Sequence, residues 1–362
     1  MSKDKILIEF AIGKLAPRIL KIHDESRAIF PFFFFLRDVV DSTRIGVWMN
    51  SRISSIGKDL LKRVVTDERS HGPLGMTLGL SLNDTFWVQD GSHTWEEVNL
   101  YENPLNPEIA ELAFTQGLSP QKVLGSRSPE FGSSGNMRKC WFKRENEIFL
   151  KKRDDPDADG VCQTTKEWFA AQVAEAMGLT HVAYDFRYRG GDVLSPVCEC
   201  RSFTDISTGF APAAAYLVSQ GVDQGFPQFL MSTVDFHREL GKLFGGYFYE
   251  DMLVFDAVVG NKDRHMLYFG VLYDNDSGRI LKPAPIFDIG LAFDPEEQCC
   301  FFPREEQFRH FVRSRHKEEL ESVLHMSFRQ HDEVRISETA LGKLESYVKN
   351  FVDNALSYLP NN

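Results

Sequence analysis

Two aspartates, each placed where an apolar run ends, restrict this chain more than any other feature. Asp263 stands in Gly260-Asn261-Lys262-Asp263-Arg264-His265, just after a helical stretch that begins near Tyr247 and stops at Gly260, a natural C-terminal glycine. Asp288 closes the run Ala284-Pro285-Ile286-Phe287 and is followed by Ile289-Gly290. Between them, residues 268–273, the turn Asn275-Asp276-Ser277-Gly278 and residues 279–287 read as a hairpin. An Asp in a loop at a helix end, followed by a hairpin that returns to a second Asp, brings two carboxylates into one cleft. A turn of solvated charges is the alternative for Asp263. It suits Asp288 less, because an Asp that ends a buried strand needs a partner or a metal.

The chemistry that asks for such a pair is phosphoryl transfer. It needs one carboxylate to orient the acceptor hydroxyl, another to hold magnesium, and a cation on the phosphates. Asp263 fits the first role and Asp288 the second. The cation is sought on the strand at 148–153, which follows a strand at 139–144 across the turn Arg144-Glu145-Asn146-Glu147. Alternation puts Ile148, Leu150 and Lys152 on one face and turns Lys151 away. Two exposed strand-end lysines are the alternative. A helix at 166–177, stopped by Gly178, opens with Glu167, which could pair with Lys152 or merely favour the helix dipole. Residues 181–188 and 193–203, turning at Arg189-Gly190-Gly191, complete a small lobe.

Residues 121–137, rich in Ser, Gly and Pro, read as loop. Within it, Glu130 to Asn136 precedes the lysine strand by one strand, where a phosphate-covering loop belongs. Backbone amides around Ser133, Ser134 and Gly135 could cradle phosphates, or the stretch could be a linker. Upstream, 1–120 forms a mixed, aromatic-rich module whose clearest strand signal is 80–91. From 205 onward the pattern is mainly helical and ends in a helix near Glu338–Leu356. The expected fold is α+β: a protein-kinase-like two-lobed fold, with a small sheet-rich lobe at 121–204, a larger helical lobe at 205–362, and an N-terminal α/β extension at 1–120.

Composition narrows the classes further. With 362 residues and 43% hydrophobic content the chain has enough apolar material for a sizeable core. A net charge of −11 opposes a sequence-independent grip on nucleic acid. The apolar run 28–36 is far short of the ~20 residues that span a bilayer, so no membrane association is expected. Its phenylalanines at 30–35 are expected in the core; exposed, they would mark an interface. Cys140, Cys162, Cys198, Cys200, Cys299 and Cys300 form no CxxC pair and suit reduced thiols in a cytoplasmic protein.

The strings GNKDRH…APIFD, LGLSLNDTFWVQDGSHTWEEVNLYENP and FTDISTGFAPA resemble the HipA-like Ser/Thr protein kinases found as single chains in many bacteria. The resemblance covers most of 75–295. It implies a kinase-like fold, ATP and Mg²⁺ as cofactors, and phosphorylation of Ser or Thr on a protein substrate, with Ser133 and Ser134 as candidate sites of autophosphorylation. It further implies Asp263 as catalytic aspartate, Asp288 as metal ligand, Lys152 on the phosphates with Glu167 behind it, and His265 and Asn261 bracing the catalytic loop. An antitoxin or other regulator protein is the implied partner, with no direct nucleic-acid binding by this chain.

One residue departs from the pattern. Five positions after the catalytic aspartate, a kinase loop carries an Asn that holds a second magnesium; this chain has Tyr268. A neutral phenol is a poor exchange for a carboxamide oxygen. Three outcomes follow: one magnesium on Asp288, recruitment of another oxygen such as that of Asn261, or nucleotide binding without efficient transfer.

Overall fold

The computed structural model describes residues 1–12, 17–23, 34–36, 39–54, 57, 59–60, 72–89, 91–115, 127–133, 135, 137–187, 196–220, 234–294, 304–332, 334 and 336–359. Ser134, the turn Arg189-Gly190-Gly191, Cys299, Cys300 and most of the phenylalanine cluster lie outside them. The chain forms two compact units. One comprises Met1–Lys151, Ser202–Asp223 and Val271–Lys282; the other comprises Lys152–Arg201, Gln224–Gly270 and Pro283–Asn362. The first crossing falls between Lys151 and Lys152, inside the strand Glu147–Arg153.

In the first unit, Arg138–Arg144 and Glu147–Arg153 are neighbouring strands. Glu145 and Asn146 both have positive φ, 50° and 67°, the combination that a two-residue type I′ hairpin requires. A second hairpin, Gly270–Asp274 and Ile280–Pro283, is joined by Thr208–Pro212 into a three-stranded sheet. That third strand lies where the sequence reads as helical. The return strand stops at Pro283 rather than running on to Phe287, since Pro283 and Pro285 have no N–H to donate to a ladder.

The strand expected at 80–91 does not form. Leu80, Leu82 and Trp87 are buried in an apolar cluster with Trp95, Leu100 and Ile148, but the backbone there is irregular. Its donors go to scattered acceptors: Trp87 N–H to the Met1 carbonyl at 3.1 Å, Val88 N–H to Leu78 at 2.8 Å, and Phe86 N–H to the Asp84 carboxylate at 2.9 Å. Asp84 also pairs with Arg52 at 2.7 Å, both buried, and Arg52 lies over the Trp48 ring. The stretch read as loop at 121–137 is likewise partly core. Pro129–Gly132 is a 3₁₀ turn with Pro129, Glu130 and Phe131 buried.

The second unit is built around the helix Phe248–Val259, in which every residue from Met252 to Val259 is buried. A helix apolar all round belongs in a core. The helices Gln163–Ala176, Val234–Phe244, Arg304–Phe311 and Glu338–Leu356 all pack on it. Lys317–His325 packs in turn on the first and last of these four. Tyr184–Phe186 and Cys198–Arg201 pair antiparallel, with Asp185 opposite Glu199. Ile286 bridges parallel to His181, with Val182 N–H on the Ile286 carbonyl and Ile286 N–H on Thr180, both at 2.9 Å.

Candidate functional site

The second unit gathers the site's charged side chains. Lys152 and Ile148 are the two buried positions of their strand, as alternation places them, while Lys151 lies 4.8 Å over the Phe114 ring in the first unit. Lys152 Nζ donates to Glu167 Oε1 at 2.7 Å and to Asp288 Oδ1 at 3.0 Å. Glu167 does not open its helix: the helix begins at Gln163, so Glu167 sits in the second turn and is fully buried. Its Oε2 has no hydrogen-bond partner among the described residues. The helix start is capped from a distance by Asp154, whose carboxylate accepts from Gln163 N–H, Thr164 N–H and the Thr164 hydroxyl. The capping residue itself, Cys162, puts its thiol on the Asp154 carbonyl rather than on the helix's first N–H groups.

One lysine therefore serves two carboxylates. Burial alone would depress the Lys152 ammonium, but Asp288 and Glu167 outweigh it and hold the group well above its usual range. Glu167 goes the other way from an ordinary carboxylate. Burial, only partly offset by Lys152 and reinforced by the charge on Asp288, pushes it up to about 7. The Asp288 backbone is left-handed, φ 56°, which is strained for a residue with a side chain. Its N–H is held by the Tyr184 hydroxyl at 3.3 Å, and the Tyr184 ring lies 5.9 Å from Lys152 Nζ.

The loop with Asp263 is fixed from beneath. Arg264 is fully buried and binds Asp256 twice, Nε to Oδ2 at 2.9 Å and Nη2 to Oδ1 at 3.1 Å. Its Nη1 donates to the carbonyls of Tyr268 and Phe287, each at 2.9 Å. One guanidinium thus ties the Asp263 loop to the backbone just before Asp288, and its fork of fixed donors suits that task. Asn261, also buried, donates to Asp256 at 2.9 Å and accepts from the Asp263 N–H at 3.2 Å. Both ends of its amide are thereby used in bracing the loop.

Asp263 itself is half-buried. Its carboxyl is raised by burial, with His265 opposing and Asp288 adding to the rise. His265 is lowered by burial against the pull of both aspartates, and its ring lies 3.7 Å from that of Tyr268. The Tyr268 phenol is pushed up to about 12 by burial and by the charges of Asp288 and Asp263, with Lys152 opposing. Tyr268 therefore shares its surroundings with both aspartates and the lysine.

No protein-family model and no curated protein sequence matches this chain. Solved structures do. The HipA chain of the Shewanella oneidensis toxin–antitoxin system, solved with HipB and operator DNA, superposes with a TM-score of 0.61 at 12% identity. The match covers 99% of this chain and 97% of that one. The fold is that of HipA. The Helicobacter pylori proinflammatory kinase CtkA matches more loosely, with a TM-score of 0.39 at 14% identity over 61% of this chain and 90% of its own.

Within this HipA-like fold, Lys152, Glu167 and Asp288 come together, and Asn261, Asp263 and His265 share their unit. Ser133 and Gly135 belong to the other unit. There Ser133 Oγ accepts from the Trp141 indole at 3.1 Å and donates to the Pro129 carbonyl at 3.2 Å. Sequence reasoning missed Asp256, Arg264 and Tyr184. An Asp inside the otherwise apolar run from Met252 to Val259 was a usable signal for the first, since a buried carboxylate needs a partner.

The donor set fits a hard cation held together with phosphates. Among the described residues no three His, Cys, Asp or Glu side chains form a metal cage. Magnesium bound with nucleotide, however, takes only one or two carboxylates and completes its shell with phosphate and water. Asp288 could supply one, and its charge already raises the Asp263 carboxyl, a repulsion that a cation on Asp288 would relieve.

Proposed function

We propose that this chain is an ATP- and magnesium-dependent protein kinase that phosphorylates Ser or Thr on a protein, itself included. The observation that carries the reading is Lys152, bonded at once to Glu167 and Asp288. A lysine paired with a helical glutamate beside a metal-binding aspartate is the arrangement protein kinases need in place before transfer. Lys152 has three N–H donors, and with two on carboxylates the third is left for a phosphate oxygen. Glu167 keeps the ammonium pointed inward. Asp263 orients the acceptor hydroxyl and takes its proton, a role helped by the raised carboxyl. Magnesium on Asp288 supplies charge neutralisation at the phosphate oxygens.

By the same likeness, the partner is a regulator protein of the antitoxin kind. HipA in the comparison structure is complexed with HipB and operator DNA. The acidic balance of this chain favours DNA contact only through such a partner. Cys140 and Cys198 are buried free thiols, which supports a reducing, cytoplasmic setting, and no helix among the described residues is long and apolar enough to cross a membrane.

A second reading has its own observation. Tyr268 stands beside Asp263, Asp288 and Lys152, where a kinase loop carries a metal-binding Asn. The chain would then bind nucleotide without efficient transfer. Incubation with γ-labelled ATP and Mg²⁺, beside Asp263→Ala and Tyr268→Asn, separates the two, with thermal melts run with and without nucleotide. Label that vanishes in Asp263→Ala supports the kinase. Nucleotide stabilisation without label, with activity gained in Tyr268→Asn, replaces it with the second reading. Equal labelling in Asp263→Ala sinks the assignment of Asp263.

A further inference from the structure

The Glu167 helix is gripped on the side away from Lys152. Gln172, 5% exposed, uses both ends of its amide on one residue: Nε2 donates to the Arg329 carbonyl at 3.2 Å and Oε1 accepts from the Arg329 N–H at 2.7 Å. Phe328 packs on Phe169, two residues beyond Glu167, with ring centroids 4.8 Å apart. It also meets Phe293, five residues beyond Asp288, edge-on at 6.2 Å. His331 stands against the Trp168 ring at 5.8 Å and bonds Asp185 on the adjoining strand at 3.1 Å. Arg329 pairs with Glu175 at the far end of the helix. The segment is anchored in turn, since Glu345 on the last helix accepts the Phe328 N–H at 2.9 Å.

We infer that residues 326–332 form a latch that fixes the Glu167 helix in its lysine-paired position. Phe328, Arg329 and His331 are its positioning residues. In protein kinases the placement of this helix decides whether the lysine–glutamate pair exists, and many switch by moving it. Here the helix is bonded at Trp168, Phe169, Gln172 and Glu175 by one short segment. Phe328 also meets the Phe293 ring, so one side chain touches both the Glu167 helix and the segment that follows Asp288. The pair is built into the fold rather than waiting for an activating event. This rests on the kinase reading for its consequence, but not for its geometry.

Ordinary core packing would also bring Phe328 against Phe169, so the test must separate local release from general loosening. Hydrogen exchange on the full chain without nucleotide does so, comparing Phe328→Ala, Phe328→Leu and His331→Ala with wild type. In Phe328→Ala and His331→Ala the amides of Gln163–Ala176 should exchange at least about tenfold faster, while those of Phe248–Val259 stay within about threefold. Phe328→Leu should restore most of the protection. The apparent affinity for a non-hydrolysable ATP analogue follows the latched fraction, so it should stay near wild type while the released state is rare and fall only in a variant where that state is well populated. Unchanged exchange in Gln163–Ala176, or an equal rise in Phe248–Val259, overturns the latch. His331 is only half-buried, so its variant gives a folded protein even if Phe328→Ala does not. A local rise in a protein that neither binds nor turns over nucleotide keeps the latch and removes the kinase reading.

Discussion

Removing the Asp256 carboxylate should release the loop that carries Asp263. Asp256 and Arg264 are each 0% exposed. The carboxylate accepts three hydrogen bonds, from Arg264 Nε, Arg264 Nη2 and Asn261 Nδ2. In Asp256→Ala all three are lost, and the guanidinium stays buried, without its carboxylate partner, on the carbonyls of Tyr268 and Phe287. Breaking a buried ion pair by deleting one partner costs about 3–5 kcal/mol. The double variant Asp256→Leu, Arg264→Met removes both charges and should cost less than the two single changes summed. It should still not be neutral, because two backbone carbonyls lose their donor at about 1–3 kcal/mol each if left unpaired. The assay is native-state exchange of the amides in Phe248–Val259. A loss of 3–5 kcal/mol corresponds to a roughly 10²- to 10⁴-fold fall in protection, at about 1.4 kcal/mol per factor of ten. Protection within about tenfold of wild type in Asp256→Ala would refute the reasoning.

Two further outcomes are expected. Glu130 is buried and raised by that burial, while accepting from the Ser128 hydroxyl and the Trp141 N–H. A carboxylate whose folded pKa is raised holds its proton longer in the native state, so wild-type stability should fall as pH rises through the window above the ordinary glutamate value; Glu130→Gln should flatten that dependence in melts across pH 4 to 8 and be neutral or stabilising at pH 7. Gly260 closes its helix at φ 64°, and a Cβ there would lie 2.0 Å from the Tyr347 hydroxyl. Gly260→Ala should therefore cost more than the ~1–2 kcal/mol of left-handed backbone alone, and adding Tyr347→Phe should recover only part of the thermal shift, because the ring carbon beneath the hydroxyl stays 2.9 Å away.

Short-range pattern determined a good deal here. Alternation pointed Lys152 inward and Lys151 outward because a strand's two faces differ in burial, a property each position carries by itself. The two aspartates announced themselves by ending apolar runs, and Gly260 by the left-handed turn a helix end needs. The same logic failed for 80–91, where an apolar, aromatic stretch read as a strand. Burial alone does not make a ladder, and its donors found acceptors at Met1, Leu78 and Asp84 instead. It also placed Glu167 at a helix start, since nothing local shows that Asp154, nine residues before Gln163, supplies the cap. What only the tertiary structure decided is which buried charge meets which. The fork of Arg264 on Asp256, Tyr268 and Phe287, the Tyr184 hydroxyl under Asp288, and the grip of Arg329 on Gln172 join residues up to 157 positions apart. A buried polar group must have a partner, which the sequence can state; the identity of that partner depends on how the whole chain packs.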